Sequence, residues 1–520
     1  MTLPMKQSQT PLKLSSLCIC LFTVLLSSFG MYAQSNKLPN IIYLMTDDQR
    51  WDNMGCYGKP EFKTHNIDQL AEEGVIFDNA FYAVSICMPS RVSIMTGRYI
   101  SSHRVGFAPP NNHTLSKADF TNSYPSKLKE AGYRTGFVGK IGFAVTEDAL
   151  PPSSPDNYDM QQHYADAFDF FVGDGTHIGG GLKIWPADDA ALKNIYHADR
   201  PANERTLKTG DAMLRFIDTQ PKDQPFCLSV SFLAVKHDRD SDVYPPHLEL
   251  FKDYKFPVPA NWVNGANHKL PKVVKENWRG VPLHLKRSST PAMYQRLVRR
   301  FAAQGYTVDQ QVGHLMKKLK ETGLLDNTII IYTSDNGRFQ GSQGLFDKAL
   351  LYEESVKQPL IVFDGRAAAS ERKRREKALI SSVDIAPTIL SLAGLEPAPS
   401  MQGHDFSGIL NKTQALSSWQ DAVYMENLFL VSMYQVRNAK NVEALNEKEV
   451  AENKSYRCRG VRTDRWKYFV YYEHNPKLEE LYDLDTDPNE QHNLAANPEF
   501  ADVLTGLRAR TEAFYLKAIE

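Results

Sequence analysis

Asn40-Ile-Ile-Tyr-Leu-Met-Thr46-Asp47-Asp48 is an apolar run of strand length that ends abruptly on two carboxylates. A strand apolar at successive positions is covered on both faces, as happens in parallel sheets flanked by helices. The sequence around it repeats that arrangement. Residues 67–74 (IDQLAEEG) have helical spacing and a glycine stop. Lys127-Leu-Lys-Glu-Ala-Gly132 leads into Tyr133-Arg-Thr-Gly-Phe-Val138, and residues 312–323 lead into Thr328-Ile-Ile-Ile-Tyr332, each reading as helix, glycine, strand. Residues 226–232 and 359–363 add further buried strands. These units predict an α/β fold with a large mixed, mostly parallel central sheet flanked by helices. After Ala415 the pattern changes. Residues 460–472 are rich in β-formers and residues 500–519 read as a terminal helix, so a smaller C-terminal αβ domain carrying an antiparallel sheet is expected. Residues 151–159 and 243–267 read as long loops around a site, and the charged run 371–377 (ERKRREK) as a solvated helix face.

Composition narrows the class. The chain has 520 residues, 42% hydrophobic and 23% charged, with a net charge of −1. Those values exclude a largely disordered chain and a multi-spanning membrane protein, and they leave no global basic excess to drive nucleic-acid binding. At its start, Lys6 and Lys13 precede an apolar centre at residues 17–26, followed by Met31-Tyr-Ala33 and Gln34. A basic start, a short apolar core and a small residue before a polar one describe a secretory signal peptide. The apolar centre is about half of the roughly 20 residues a membrane span needs. The expected organisation is a signal peptide at 1–33, a main domain at 34–414 and a C-terminal subdomain at 415–520. The expected location is secreted or periplasmic, with no stable membrane insertion after cleavage. Cleavage at Ala33 removes two lysines and no acid, leaving a net charge of −3 and Cys56, Cys87, Cys227 and Cys458.

Two strand ends carry oxygen-rich clusters: Asp47 and Asp48 after the first strand, and Asp335 and Asn336 after residues 328–332. Open α/β sheets bind ligands at the carboxyl ends of their strands. Three carboxylates and an amide suit a hard divalent cation, Ca²⁺ or Mg²⁺, and the absence of His and Cys from both clusters argues against zinc. Helix caps and turns are the alternative use of such residues. The densest motif is Cys87-Met-Pro-Ser-Arg91, followed by Thr96-Gly-Arg98. Pro89-Ser-Arg can open a helix and place Cys87 at its positive end, where an anionic nucleophile is stabilised. A buried structural cysteine is the alternative.

The Cys-x-Pro-Ser-Arg and Thr-Gly-Arg elements resemble the signature of type I sulfatases, in the alkaline phosphatase superfamily, and the likeness runs from about residue 38 to 500. Residues 40–49 look like that family's opening metal strand. Gly132-Tyr-Arg-Thr-Gly-Phe-Val-Gly-Lys140 resembles its Gly-Tyr…Gly-Lys segment, and Ser334-Asp-Asn-Gly337 its second metal element. Ser382-Val-Asp-Ile-Ala-Pro-Thr388 and Leu481-Tyr-Asp-Leu484 with Asn489-Glu490 and Asn493-Leu494 are similar too. The resemblance implies an exported enzyme, most simply one like the secreted bacterial polysaccharide sulfatases, that hydrolyses sulfate esters on carbohydrate. Cys87 would be converted to 3-oxoalanine (formylglycine) by a formylglycine-generating or anaerobic sulfatase-maturating enzyme. Asp47, Asp48, Asp335, Asn336 and the modified Cys87 would bind the cation. The hydrated aldehyde would attack sulfur, and its second hydroxyl would release sulfate. Arg91 would hold the nucleophile, and Lys140 and Lys348 would meet the sulfate oxygens.

Two departures stand out. Many sulfatases continue Gly-Lys as Gly-Lys-Trp-His, whereas this chain reads Gly139-Lys-Ile-Gly-Phe143, without that histidine. The family's Ser-Phe-x-Ala-x-His appears here as Ser231-Phe-Leu-Ala-Val-Lys236-His237, one position late. His237 is the expected leaving-group acid and Lys236 its competitor. A phosphomonoesterase or phosphodiesterase on the same scaffold and a carbohydrate-binding pseudoenzyme are the rival readings. With Cys87 modified, Cys56, Cys227 and Cys458 allow at most one internal disulfide.

Overall fold

The first strand sits at the centre of the sheet it predicts. In the computed structural model, which describes residues 1–2, 37–107, 111–151, 161–174, 182–197, 199–236, 239–429 and 441–520, the described residues form fifteen strands. They are β1 (Asn40–Thr46), β2 (Val75–Phe81), β3 (Thr114–Ser116), β4 (Arg134–Lys140), β5 (Ala144–Thr146), β6 (Phe170–Asp174), β7 (Leu182–Trp185), β8 (Phe226–Ser231), β9 (Thr328–Ser334), β10 (Lys357–Asp364), β11 (Arg374–Ser381), β12 (Ala422–Asn427), β13 (Cys458–Thr463), β14 (Trp466–Tyr471) and β15 (Leu478–Asp483). The proposed signal peptide and its cleavage point lie outside the described residues, as does nearly all of the 151–159 loop.

Nine strands form one sheet in the order β11-β2-β10-β9-β1-β8-β4-β6-β7. Only β10 and β7 run against the rest, so the sheet is mixed and mostly parallel. Successive side chains of a strand point to opposite faces. Ile41, Tyr43 and Met45 of β1 accordingly enter one apolar cluster, and Ile42 and Leu44 the other. The helices Cys87–Thr96, Tyr124–Glu130 and Ile385–Leu392 cover the first face through Met88, Val92, Tyr124, Leu128, Ile385 and Ile389. The helices His65–Glu73, Arg205–Asp218 and Pro291–Glu321 cover the second through Ile67, Leu70, Met213, Phe216, Val312 and Leu315.

β12 to β15 form a four-stranded antiparallel sheet. Its outer face packs on the helix Ala501–Ile519 through Val461, Tyr468 and Leu481 against Leu504 and Leu507. Val423, Met425, Phe469 and Tyr471 on its other face join the apolar cluster of the large sheet. One core therefore runs from one sheet into the other.

The charged run 371–377 is a correction. It forms no helix face: from Arg374 onward it is the start of edge strand β11, parallel to β2. Arg375 pairs with Asp78, with Nε 3.1 Å from Oδ1. Charge on an edge strand discourages pairing with another sheet. Seven consecutive polar residues carry no hydrophobic period from which a strand could be recognised. Among the described residues no helix is long and apolar enough to cross a membrane.

One acid on the buried face of the Pro291–Glu321 helix has a structural task. Asp309 Oδ1 accepts the Ile67 backbone N–H at 2.8 Å and Oδ2 accepts Asn66 Nδ2 at 2.7 Å. It thereby caps the His65–Glu73 helix, whose own N-cap residue Thr64 makes no side-chain capping bond. Burial dominates these donors and pushes the Asp309 carboxyl up from 3.8 to about 6. A carboxyl raised on folding stabilises the fold below its unfolded pKa, and that contribution is lost as pH rises through the folded value. Asp309→Asn keeps the shape without the titration. Chemical denaturation should therefore show the variant gaining on the wild type by about 2 kcal/mol between pH 4 and 7. A stability difference independent of pH would contradict this reading.

Candidate active site

β1 and β9 pair in parallel register from Asn40 opposite Thr328 to Thr46 opposite Ser334. The two chains therefore leave the sheet side by side, which brings the two oxygen-rich clusters together. Asp47, Asp48 and Asp335 each offer a carboxylate oxygen within 4.8 Å of the others, and all three are buried. Asp48 has a left-handed backbone, φ 62°, and its N–H donates to Asp335 Oδ1 at 3.0 Å. Asn336 Nδ2 donates to Asp48 Oδ1 at 2.7 Å. Three carboxylates and an amide, all oxygen donors in a buried pocket, fit a hard divalent cation.

Basic side chains surround these acids. Arg91 lies one helical turn after Cys87, on the same face of a helix buried along its whole length. Its Nε donates to Asp335 Oδ2 at 2.8 Å, and its Nη1 donates to both the Lys140 carbonyl at 2.6 Å and Ser231 Oγ at 2.5 Å. Lys140, the last residue of β4, donates to Asp47 Oδ2, and Lys236 Nζ reaches Asp47 Oδ1 at 3.2 Å. Lys348 donates to Asp48 Oδ1 and to Asn336 Oδ1, the latter at 3.0 Å, while Arg338 donates to Asp48 Oδ2 at 2.9 Å.

The protonation pattern follows. Burial works against the Asp47 carboxylate, but Lys140, Lys236 and Arg91 outweigh it and hold Asp47 well below the usual range. Asp48 is lowered too, since Lys348 and Lys236 overcome its burial. Asp335 moves the other way, raised by burial and then by its neighbour Asp47. For Lys236, burial is overcome by Asp47, and the ammonium is held well above its ordinary value.

Cys87 is the first residue of the Cys87–Thr96 helix, and the preceding Ile86 is extended. It lines a cavity of about 270 Å³ together with Asp48, Lys236, Arg338 and Lys348. Lys140, Arg91, Asp47, Asp335 and Asn336 adjoin this wall through the bonds above. Lys348 stands between two left-handed residues, Asp347 (φ 76°) and Ala349 (φ 86°). Strain of this kind persists only where the surroundings impose it. Here the Ala349 N–H donates to Ser355 Oγ at 3.0 Å.

Of the residues expected from sequence, nine of ten are gathered here: Asp47, Asp48, Cys87, Arg91, Lys140, Asp335, Asn336, Lys348 and the competitor Lys236. His237 lies outside the described residues. Arg338 and Ser231 are the partners that sequence reading missed. Arg338 stands two residues after Asn336, close enough for the cluster to have pointed to it. Gly142 takes the place of the family's histidine. It has φ 84°, and a Cβ there would lie 2.7 Å from Arg91 Cδ, so Arg91 already fills that space. Gly139, at φ 104°, would put a Cβ 2.0 Å from the Ser231 carbonyl and is the only residue type that fits beside β8.

His103 is not a wall of the cavity. It is buried, its Nδ1 accepts the Val105 N–H and its Nε2 meets Ser93 Oγ, each at 3.0 Å. Burial, then Arg98, lowers it to about 3, so it is neutral. No disulfide joins Cys56, Cys227 and Cys458.

These elements define an α/β fold in which buried carboxylates and basic side chains gather at one set of strand ends. The sulfatase family model matches residues 39–395, and a model described as N-sulphoglucosamine sulphohydrolase, C-terminal, matches residues 341–516. The chain belongs to the sulfatase family and is a sulfuric ester hydrolase. An N-acetylglucosamine-6-O-sulfatase of Bacteroides thetaiotaomicron is 28% identical over 526 residues, covering 90% of this chain and 84% of the relative. A structure solved with its substrate D-glucosamine-2-N,6-O-disulfate superposes with a TM-score of 0.71 at 24% identity, covering 93% of this chain and 98% of the other. The phosphonate monoester hydrolase of Agrobacterium radiobacter shares the fold, with a TM-score of 0.70 at 21% identity over 92% of this chain and 96% of its own.

Proposed function

We propose that the protein is an exported sulfatase that hydrolyses sulfate esters on carbohydrate, with residue 87 in its formylglycine form and a Ca²⁺ or Mg²⁺ ion held by Asp47, Asp48, Asp335 and Asn336. The observation that carries this reading is the position of Cys87: it opens a buried helix in a cavity whose wall also holds Asp48, Lys236 and Lys348. Acids for a cation and lysines for an anion meet at one potential nucleophile. Carbohydrate is supported by relatives described as an N-acetylglucosamine-6-O-sulfatase and, in Formosa agariphila, an ulvan-active sulfatase. Export is supported by the N-terminal signal pattern, and Cys87 would require a maturating enzyme as partner.

When bound, the cation supplies the positive charge that lets a hydroxyl of hydrated residue 87 lose its proton near neutral pH. Arg91 fixes the helix start against Asp335 and Ser231 and so aims residue 87. Lys348 and Lys140 place ammonium charge where sulfate oxygens gain negative charge. Lys236, in the cavity wall, competes with His237, the donor expected from sequence, for protonating the departing sugar oxygen.

The shared fold of the phosphonate monoester hydrolase keeps phosphate esters as the competing substrate class. Nitrophenyl sulfate and nitrophenyl phosphate separate the two, and kcat/KM should favour the sulfate by at least about 100-fold; a preference for phosphate would overturn the reading. Lys236→Ala tests the leaving-group role. A lost proton donor typically costs about 10²–10⁴-fold, and a good leaving group needs the donor least. The variant should therefore lose on the order of 10²-fold on a sugar sulfate and much less on nitrophenyl sulfate. Equal losses on both would remove Lys236 from that role and leave it to His237.

A further inference from the structure

β10 runs against both of its neighbours, β2 and β9, so the residues just before it lie where those two strands end. β2 leads on to Cys87, and β9 leads on to Asp335 and Asn336. The turn that enters β10, Glu353–Val356, is therefore set between the two, and Ser355 lies in it fully buried. Its carbonyl accepts the Gly337 N–H at 3.0 Å, directly after Asn336. The same carbonyl accepts the hydroxyl of Ser85, two residues before Cys87. The Ser355 hydroxyl lies 2.7 Å from Ser85 Oγ and accepts the Ala349 N–H at 3.0 Å, directly after Lys348. A serine hydroxyl carries one proton. Since Ser85 gives its proton to the Ser355 carbonyl, Ser355 gives its own to Ser85 Oγ, and the two buried serines close a ring.

The fit around this residue is tight. A Cβ at Gly337 would stand 2.2 Å from the Glu354 carbonyl and 2.9 Å from that of Ser355, so only glycine permits the approach. Ala349 keeps its left-handed backbone, φ 86°, while its N–H is held by the Ser355 hydroxyl. The turn is anchored in its own right from the C-terminal sheet. Glu490 Oε2 accepts the Glu353 N–H at 2.7 Å, and Lys467 donates to Glu490 Oε1 at 2.8 Å.

We propose that Ser355 is a positioning residue for the hydrolysis. Its hydroxyl and carbonyl tie together the approach to residue 87, the turn after Asn336 and the strained backbone that presents Lys348, so that nucleophile, cation ligands and anion-binding ammonium keep one geometry. The inference rests on the sulfatase reading and assigns Ser355 no contact with substrate.

The test is a double-mutant cycle on the matured enzyme, read as kcat/KM on nitrophenyl sulfate, with a thermal melt of each variant. A misplacement on the order of 1 Å costs about 100-fold in rate, so Ser355→Ala should lose about 10- to 100-fold. Beside Lys348→Ala the same change should cost no more than about twofold, because the lysine it positions is already gone. Ser85→Ala leaves the Ala349 bond in place, so its loss of about tenfold should be equal with and without Lys348. That variant carries the test if Ser355→Ala does not fold, and a wild-type rate in it would overturn the tie to residue 87. A serine that only stabilises the fold would lower Tm and leave the rates of the folded protein unchanged. Wild-type kcat/KM in Ser355→Ala, or an equal loss in both backgrounds, would therefore overturn the proposal. Failure of the sulfatase reading shows differently, as no sulfate released from any substrate by the matured wild type. Amide hydrogen exchange then still reads the positioning: residues 346–350 should exchange faster in Ser355→Ala, and unchanged exchange there would overturn it.

Discussion

Cys87→Ala should abolish sulfate-ester hydrolysis, lowering kcat by on the order of 10⁴-fold or more, in a protein that remains folded. The size of the loss follows from removing the group proposed to form the covalent link to sulfur. Lys140, Lys236 and Lys348 would still bind the anion, so KM should change far less than kcat. The fold should tolerate the change. Alanine is the best helix former, and the Cys87–Thr96 helix retains Met88, Val92 and Met95 in the large apolar cluster. Loss of one buried sulfur atom costs about 1 kcal/mol, small beside the stability of a core this size. Turnover on nitrophenyl sulfate with a parallel thermal melt checks both halves. Normal turnover in the variant would rule out covalent catalysis at residue 87.

Asp335→Asn carries the second large effect. Asp335 Oδ2 receives Arg91 Nε and Oδ1 receives the Asp48 N–H, so the carboxylate joins the arm that aims residue 87 to the turn that carries Asp48. The asparagine keeps the shape but withdraws one of three charges from the proposed cation ligands. Without it, kcat/KM should fall by at least about 10³-fold, since lost electrostatic stabilisation of a developing anion is worth several kcal/mol. A separate readout avoids activity altogether. A ligand at 100 times its Kd stabilises the fold by about 2.7 kcal/mol, so Ca²⁺ added to chelator-treated wild type should raise Tm measurably. The same addition should leave Asp335→Asn nearly unmoved. An equal shift in both proteins would place the cation somewhere other than these carboxylates.

The parts of this structure that were legible in sequence are those where burial imposes a pattern. β1 and β9 are apolar on both faces because helices cover both sides of the sheet, and that leaves continuous apolar runs ending in acids. The acids were legible as a pair of clusters for the same reason: parallel strands in register end together. Where charge replaces burial the signal fails. β11 begins inside a run of seven charged and basic residues at the sheet edge, and nothing in that run has the period of a strand. The absent histidine after Lys140 shows a subtler limit. Its loss was visible as Gly142, but the reason, that the Arg91 side chain passes where a Cβ would stand, belongs to the packing of two segments fifty residues apart. Arg338, two residues after Asn336, stood close enough to that cluster to be suspected, but its bond to Asp48 belongs to the packing of segments far apart in the chain.

The most direct measurement is the mass of the tryptic peptide containing residue 87, from protein co-produced with a maturating enzyme, read alongside sulfate release by the same sample. A cysteine converted to formylglycine is lighter by about 18 Da. A shifted peptide, with activity rising in proportion to the shifted fraction, is the predicted result. An unmodified thiol in a sample that hydrolyses sulfate esters at full rate would contradict it.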